Sequence, residues 1–268
     1  VPGLKAAGIR IVTFDRGTSY YSWPFYDVDN PTAVPLGDVR VRKALQLAIN
    51  SKEMADKLFS GNAAPQIMTY VRPTAYFWDS NVLKFDPYDP EAAKKLLAEA
   101  GYASGFNTKL YDVGEGGPLS TVNLALDGYW RKIGVVSAIV PMQFAAYRPN
   151  YNPKIVPEVY NTIFTYRTNG YRDFEGVGLA YHSTKASAKN SKNLVLDGLI
   201  DKVPQTRDLA EKKKIALEAT RLAKEGYTTL TVVGVFPTLG VSAKIGEVKR
   251  RVVAEIQAPV YEGLTHPK

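Results

Sequence analysis

The sequence predicts an α/β fold, a sheet with helices packed on it. Three observations predict it. Segments of helical periodicity are bracketed by start and stop residues, β-rich runs fall between them, and the two kinds alternate along the chain. The order reads strand, helices, strand, helix, strand, strand, helices, strand.

Ile9–Phe14 alternates as a strand does. An aromatic-rich segment follows, with Tyr20, Tyr21, Trp23, Phe25 and Tyr26; Pro24, Pro31 and Pro35 break it, so it reads mostly as loop. Asp38 caps a helix whose apolar positions Val41, Ala44, Leu45 and Ala48 follow a helical period. Arg40, Arg42 and Lys43 lie off that stripe and read as solvated. Asn50 with Glu53 three residues later forms a capping box that opens a second helix, and Gly61 closes it. Pro65, Pro73 and Pro87 frame a long irregular stretch through Tyr76, Phe77 and Trp78, a length that marks functional or core-covering loops.

Asp89 caps the next helix and Pro90 occupies its first turn, where a missing N–H costs nothing. Ala93, Leu96, Leu97 and Ala100 make its buried stripe, and Gly101 stops it. Thr108–Val113 is a short strand. Pro118–Ile133 is a helix with Leu119, Val122, Leu126 and Ile133 on one face, ended by Gly134. Val135–Val140 and Val159–Tyr166 are strands, Leu194–Val203 and Arg207–Glu225 are helices, and Thr229–Phe236 is a β-rich run.

The chain has 268 residues, enough for one large or two modest domains. It is 45% hydrophobic and 22% charged, as globular proteins are, and no apolar run approaches the roughly 20 residues that span a bilayer. Its start, Val1-Pro2-Gly3-Leu4, carries neither an initiator Met nor a signal-peptide pattern, and reads as the inside of a longer chain or a processed product. The absence of cysteine excludes disulfides, thiolate metal sites and a thiol nucleophile. With only His182 and His266, a multi-histidine metal site is excluded too. No nucleophile elbow, phosphate loop or dinucleotide fingerprint is present. The expectation is therefore a protein that is not an enzyme and needs no cofactor. The net charge of +8 raises nucleic-acid binding, but the basic residues are dispersed. The run Lys212-Lys213-Lys214 lies among Asp208, Glu211 and Glu218 as a solvated face, and Lys249-Arg250-Arg251 has no accompanying motif, so no nucleic-acid partner is expected.

The blocks together carry a resemblance. Asp38-Val39-Arg40-Val41-Arg42-Lys43-Ala44-Leu45 resembles the D-x-R-V-R-x-A-[LI] block of the family 5 extracellular solute-binding proteins, the peptide, dipeptide and nickel-type receptors of bacterial ABC importers. Ala48-Ile49-Asn50-Ser51-Lys52 and Gly61-Asn62-Ala63-Ala64-Pro65 continue it. Tyr88-Asp89-Pro90 through Leu96-Leu97-Ala98-Glu99-Ala100-Gly101-Tyr102, then Gly105-Phe106, resembles that family's Y-D-P-x-x-A-x-x-L-L-x-E-A-G-Y-x-x-G-F. Trp130-Arg131-Lys132-Ile133-Gly134-Val135 is similar to its L-x-K-I-G-I-x-V element.

The resemblance implies a lobe like that of type II periplasmic binding proteins, a mixed sheet flanked by helices and one part of a two-lobed clamp. Residues 1–230 would form the second, ligand-binding lobe, and residues 231–268 a return segment belonging with the missing N-terminal lobe. Ligand closes such lobes about a hinge, and the membrane permease of the importer recognises the closed form. The implied location is periplasmic or extracytoplasmic, and the implied ligand a peptide or related amino-group-bearing solute. A stand-alone α/β hydrolase-like enzyme, or a receptor for a sugar, opine or metal chelate, is the alternative.

Receptors of the peptide type place an aspartate opposite the ligand's amino group, in a W-x-x-D-x-x-D-P type segment after a strand. The corresponding segment here is Tyr166-Arg167-Thr168-Asn169-Gly170-Tyr171-Arg172-Asp173-Phe174, with Tyr166 where Trp is usual and Phe174 where Pro is. The resemblance thus implies Asp173 as the amine-binding carboxylate; as a turn residue it would instead cap local N–H groups. Arg167 and Arg172 flank it, favouring its ionised form or, alternatively, serving an anionic ligand. Tyr166, Asn169, Gly170, Tyr171 and Arg172 are the other expected cleft contacts. Trp23 and Tyr26, beside Tyr21, either stack on ligand or pack under the other lobe. His182 suggests a nickel or haem ligand, but with no second histidine near it in sequence it reads as a surface-loop residue.

Overall fold

Five helices begin on an Asp or Asn whose side chain takes a backbone N–H two or three residues on, in the computed structural model of the chain. The model describes residues 7–13, 19–25, 28–30, 33–65, 71, 75–113, 118–143, 162–164, 166–169, 184, 191–236, 238–242, 249–251 and 260–262. Asp38 caps α1 (Val39–Leu47), Asn50 caps α2 (Ser51–Phe59) and Asp89 caps α3 (Pro90–Glu99). After α4 (Pro118–Arg131), Asn193 caps α5 (Leu194–Gln205) and Asp208 caps α6 (Leu209–Glu225). At α2 the capping box is half made. Glu53 N–H donates to Asn50, but the Glu53 carboxylate turns instead to Lys57 Nζ at 2.5 Å and Tyr129 OH at 2.9 Å. The C-cap of α2 is Ser60, left-handed at φ 50°, with Gly61 following at φ 76°.

The strands are β1 (Ile9–Thr13), β2 (Ser19–Pro24), β3 (Ala63–Pro65), β4 (Phe106–Asp112), β5 (Val135–Pro141), β6 (Thr162–Phe164), β7 (Tyr166–Asn169), β8 (Thr229–Val235), β9 (Thr238–Ser242), β10 (Lys249–Arg251) and β11 (Val260–Glu262). A three-stranded parallel sheet has the order β5-β4-β6, and a four-stranded antiparallel sheet the order β3-β8-β2-β7. A bridge between Phe25 and Ile163 joins them. β1 pairs with β9, and β10 with β11, as separate antiparallel ribbons.

Two expectations about strands are corrected. The segment from Tyr20 to Trp23, expected as loop, is strand β2 in the middle of a sheet. Its tyrosines and tryptophan suit a pleated surface, and Pro24 is tolerated because it is the strand's last residue. The single strand expected over 159–166 is two, β6 and β7, which belong to different sheets. β3 ends at Pro65, where the expected irregular stretch begins. The division expected after residue 230 falls inside β8, which pairs with β2 on one side and β3 on the other.

The parallel sheet starts at a backbone contact that only glycine permits. Gly105 and Gly134 have φ of 74° and 84°, and a Cβ on Gly105 would lie 1.9 Å from the Gly134 carbonyl oxygen. β4 and β5 begin on the next residues, paired Phe106 to Val135.

The main core gathers Phe25, Leu45, Leu97, Leu110, Trp130 and Val233 between helices and sheets. A second cluster, with Phe77, Leu83, Leu196 and Ala219, lies under the α5–α6 hairpin. Arg42, expected as solvated, is buried and ties these regions together. Its guanidinium donates to the carbonyls of Leu36 (2.9 Å) and Gly37 (2.7 Å), and twice to Gly226 O (2.8 and 3.1 Å) at the end of α6. Burial pushes its pKa down to about 10, against the pull of Asp29 and Asp38, so it stays charged at neutral pH. Arg40 pairs with Asp38 at 2.5 Å and donates to Glu99 O, the last carbonyl of α3, at 2.8 Å.

Removing the guanidinium leaves three carbonyls without their donor. Arg42→Ala is expected to lower unfolding free energy in urea titration by about 2–4 kcal/mol. The hydrogen bonds from Arg40 hold the Asp38 carboxyl below its ordinary 3.8. Its contribution is therefore present above that pH and lost as pH falls through the lowered value, so Asp38→Asn is expected to flatten the acid limb of a stability–pH curve.

Candidate ligand-binding site

Strand β2 has β8 on one side and β7 on the other, which brings together two segments that the sequence offered separately. In the β2–β7 ladder Ser19 stands opposite Asn169, Tyr20 opposite Thr168, Tyr21 opposite Arg167, and Ser22 opposite Tyr166. The aromatic strand and the Tyr166–Asn169 segment are thus immediate neighbours, and among the described residues β7 is the end strand of its sheet. Trp23 pairs with Leu230 and alternates with Phe25, and both of those residues are buried in the core. Tyr26, Gly170, Tyr171, Arg172, Asp173 and His182 lie outside the described residues.

The position of this ladder is set from beneath. The β2–β8 pairing slips by one residue between Tyr21 and Ser22, a bulge that leaves Val232 extra. Beyond it, the Gln46 side chain accepts from Thr231 N–H at 3.1 Å and donates to Thr231 O at 3.0 Å. The amide thus completes the edge of β8 past the end of β3, whose last residue, Pro65, pairs with Val233. On the residue before Gln46, Leu45 O accepts from the Trp130 indole N–H at 3.1 Å. Sequence reasoning missed Gln46, because a polar residue inside a helical pattern carries no mark of a partner 185 positions away.

Two other carboxylates held low are engaged in helix contacts away from this ladder. Hydrogen bonds from Lys57 and Tyr129 lower Glu53. At Asp127 burial opposes ionisation, but the Arg131 pair and the Ser137 hydrogen bonds win, and its pKa is lowered. Among the described residues no group of three His, Asp or Glu side chains is placed to hold a metal ion.

Residues 5–186 match the bacterial extracellular solute-binding proteins, family 5, middle region. The chain belongs to this family. Heme-binding protein A of Haemophilus influenzae is 33% identical over 128 residues, which cover 46% of this chain and 23% of that protein. The dipeptide-binding protein of Escherichia coli is 32% identical over 155 residues, 55% of this chain and 29% of that one. Among solved structures, the periplasmic binding protein DppA of Helicobacter pylori, in complex with the peptide STSA, superimposes with a TM-score of 0.74 at 17% identity. That match covers 91% of this chain and 47% of the other, so the chain spans about half the solved neighbour's length. The likeness establishes the fold as that of the type II periplasmic binding proteins. No helix among the described residues is long and apolar enough to cross a membrane.

Residues directly opposite in an antiparallel pair have Cα atoms about 4.5–5.5 Å apart, within disulfide reach. The chain has no cysteine of its own. Ser19→Cys with Asn169→Cys is expected to form an intramolecular disulfide on mild oxidation, read by mass spectrometry. Ser19→Cys with Arg167→Cys, two residues out of register, is expected to cross-link far less.

Proposed function

We propose that the protein is the solute-recognising component of an ABC importer. It would act outside the cytoplasm, present its ligand to a membrane permease, and take peptides or related amino-group-bearing solutes. Membership of an extracellular solute-binding family supports the class, and a dipeptide-binding relative supports the ligand. The observation that carries the reading is the β2–β7 ladder at the end of the antiparallel sheet. An end strand offers main-chain N–H and C=O groups to an extended peptide, and neighbouring side chains supply selectivity.

Within this reading Asp173 receives the ligand's amino group, and Arg167 and Arg172 keep its carboxyl ionised. Tyr166, Asn169, Gly170, Tyr171, Arg172, Trp23 and Tyr26 line the ligand. No bond is made or broken. The lobe extends through β8, whose place between β2 and β3 supports moving its end beyond residue 230. The β1–β9 ribbon carries the chain to and from the other lobe, and closure bends it.

Calorimetry with a short-peptide library tests the reading. Dipeptides with free amino groups are expected to bind, and Asp173→Asn to weaken them about tenfold or more, as loss of a charge-assisted contact does. N-acetylated peptides are expected to bind parent and variant equally poorly. Binding of a sugar or an opine-like compound with no response to any peptide would overturn the ligand assignment.

A further inference from the structure

Asn62 sits where the ribbon meets the lobe. It follows the two left-handed residues Ser60 and Gly61, at φ 50° and 76°, that end α2. Two bonds hold it against that helix: its backbone N–H donates to Phe59 O at 2.8 Å, and its Nδ2 to the same oxygen at 3.1 Å. From this fixed position it takes hold of both strands that lead into the ribbon. Its carbonyl accepts from Phe236 N–H at 2.9 Å, just past the end of β8, and its Oδ1 accepts from the Thr13 hydroxyl at 3.0 Å, on the last residue of β1. Thr13 is in turn the partner of Thr238, the first residue of β9. The ribbon therefore leaves the lobe through a point where one helix-anchored asparagine bonds to the strand on each side.

Among the described residues the β1–β9 ribbon has no third strand to fix its direction, so its angle depends on contacts at its root. The backbone bond from Phe236 positions β8, whereas the Thr13 bond is made by side chains alone and is free to break without unpairing a strand. We propose that Asn62 is a positioning residue, a latch that holds the β1–β9 ribbon at a set angle to the lobe. Given the receptor reading above, on which this part rests, the same latch sets the resting opening between the lobes, and it is released when the ribbon bends.

The absence of native cysteine makes the angle measurable. Spin labels at Arg10→Cys on β1 and Lys95→Cys on α3 report the ribbon-to-lobe distance by pulsed electron resonance on the chain without ligand. Thr13→Val removes the hydroxyl and keeps a strand-forming side chain, so it leaves folding intact. It is expected to widen the distance distribution about 1.5-fold or more, as loss of a hydrogen-bonded restraint does. Asn62→Ala should widen it equally. Asn62→Asp, which keeps an acceptor for Thr13, should restore the parent width. The double variant T13V/N62A should be no wider than either single one, the signature of a shared contact. A T13V distribution as narrow as the parent's, or widening in N62D equal to that in N62A, would overturn the latch. The measurement uses no solute, so failure of peptide binding in calorimetry overturns the receptor reading without touching the latch, and an unwidened distribution does the reverse.

Discussion

The buried guanidinium of Arg42 is the contact on which the candidate ligand face depends. It lies beside the C-terminus of α6, where helix carbonyls point outward and the helix dipole is negative, so a cation there is favoured. The planar fork gives two bonds to Gly226 O and one each to Leu36 O and Gly37 O, which a lysine's point charge does not reproduce. Gly226 is three residues ahead of β8. Fixing it fixes where β8 enters the sheet. Gln46, one helical turn from Arg42, then holds Thr231 by both backbone groups and fixes the register. Helix α1 thereby aligns β8, β8 aligns β2, and β2 aligns β7.

The same helix reaches the rest of the lobe through backbone groups at its own end. Leu45 O takes the Trp130 indole and Leu47 O takes Asp89 N–H, while Arg40 closes the end of α3 at Glu99 O. The D-x-R-V-R pattern therefore has a physical content that its spacing alone conceals. Asp38 caps the helix and orients Arg40, Val41 packs in the core, and Arg42 joins helix ends that are far apart in sequence. A pattern that serves this scaffold carries no information about ligand.

Local chemistry was legible in the sequence and long-range pairing was not. Asp38, Asn50 and Asp89 announce their helices because a cap acts within three residues. Gly101 and Gly134 announce their turns because positive φ is a property of one residue. Strand β2 was hidden because Pro24 reads as a break until Thr229 is seen opposite it at the strand's end. The split between β6 and β7 was hidden because their partners, β4 and β2, lie in different sheets. Arg42 read as solvated because periodicity identifies one apolar stripe, while α1 is buried on a second face that meets the end of α6 through polar contacts. Of the candidate site, the residue types were legible. The neighbourhood of Tyr21 and Arg167 was not, since it comes from a ladder joining positions far apart in the chain.

Strand β8 connects these observations. Arg42 holds the chain just before it, Gln46 holds its first half, and the Asn62 carbonyl holds Phe236 just after it. Between those points β8 pairs with β2, the strand beside the candidate ligand edge, and three residues beyond its last residue, Val235, the chain enters β9 of the ribbon. A strand restrained at both ends and buried along its length moves as a unit or not at all. Its neighbours are held differently: β7 joins β2 through a backbone ladder, whereas the Thr13–Asn62 contact at the ribbon root is made by side chains alone. Under the proposed reading, the rigid centre preserves the geometry of recognition, and the side-chain contact at the ribbon root is the one free to break.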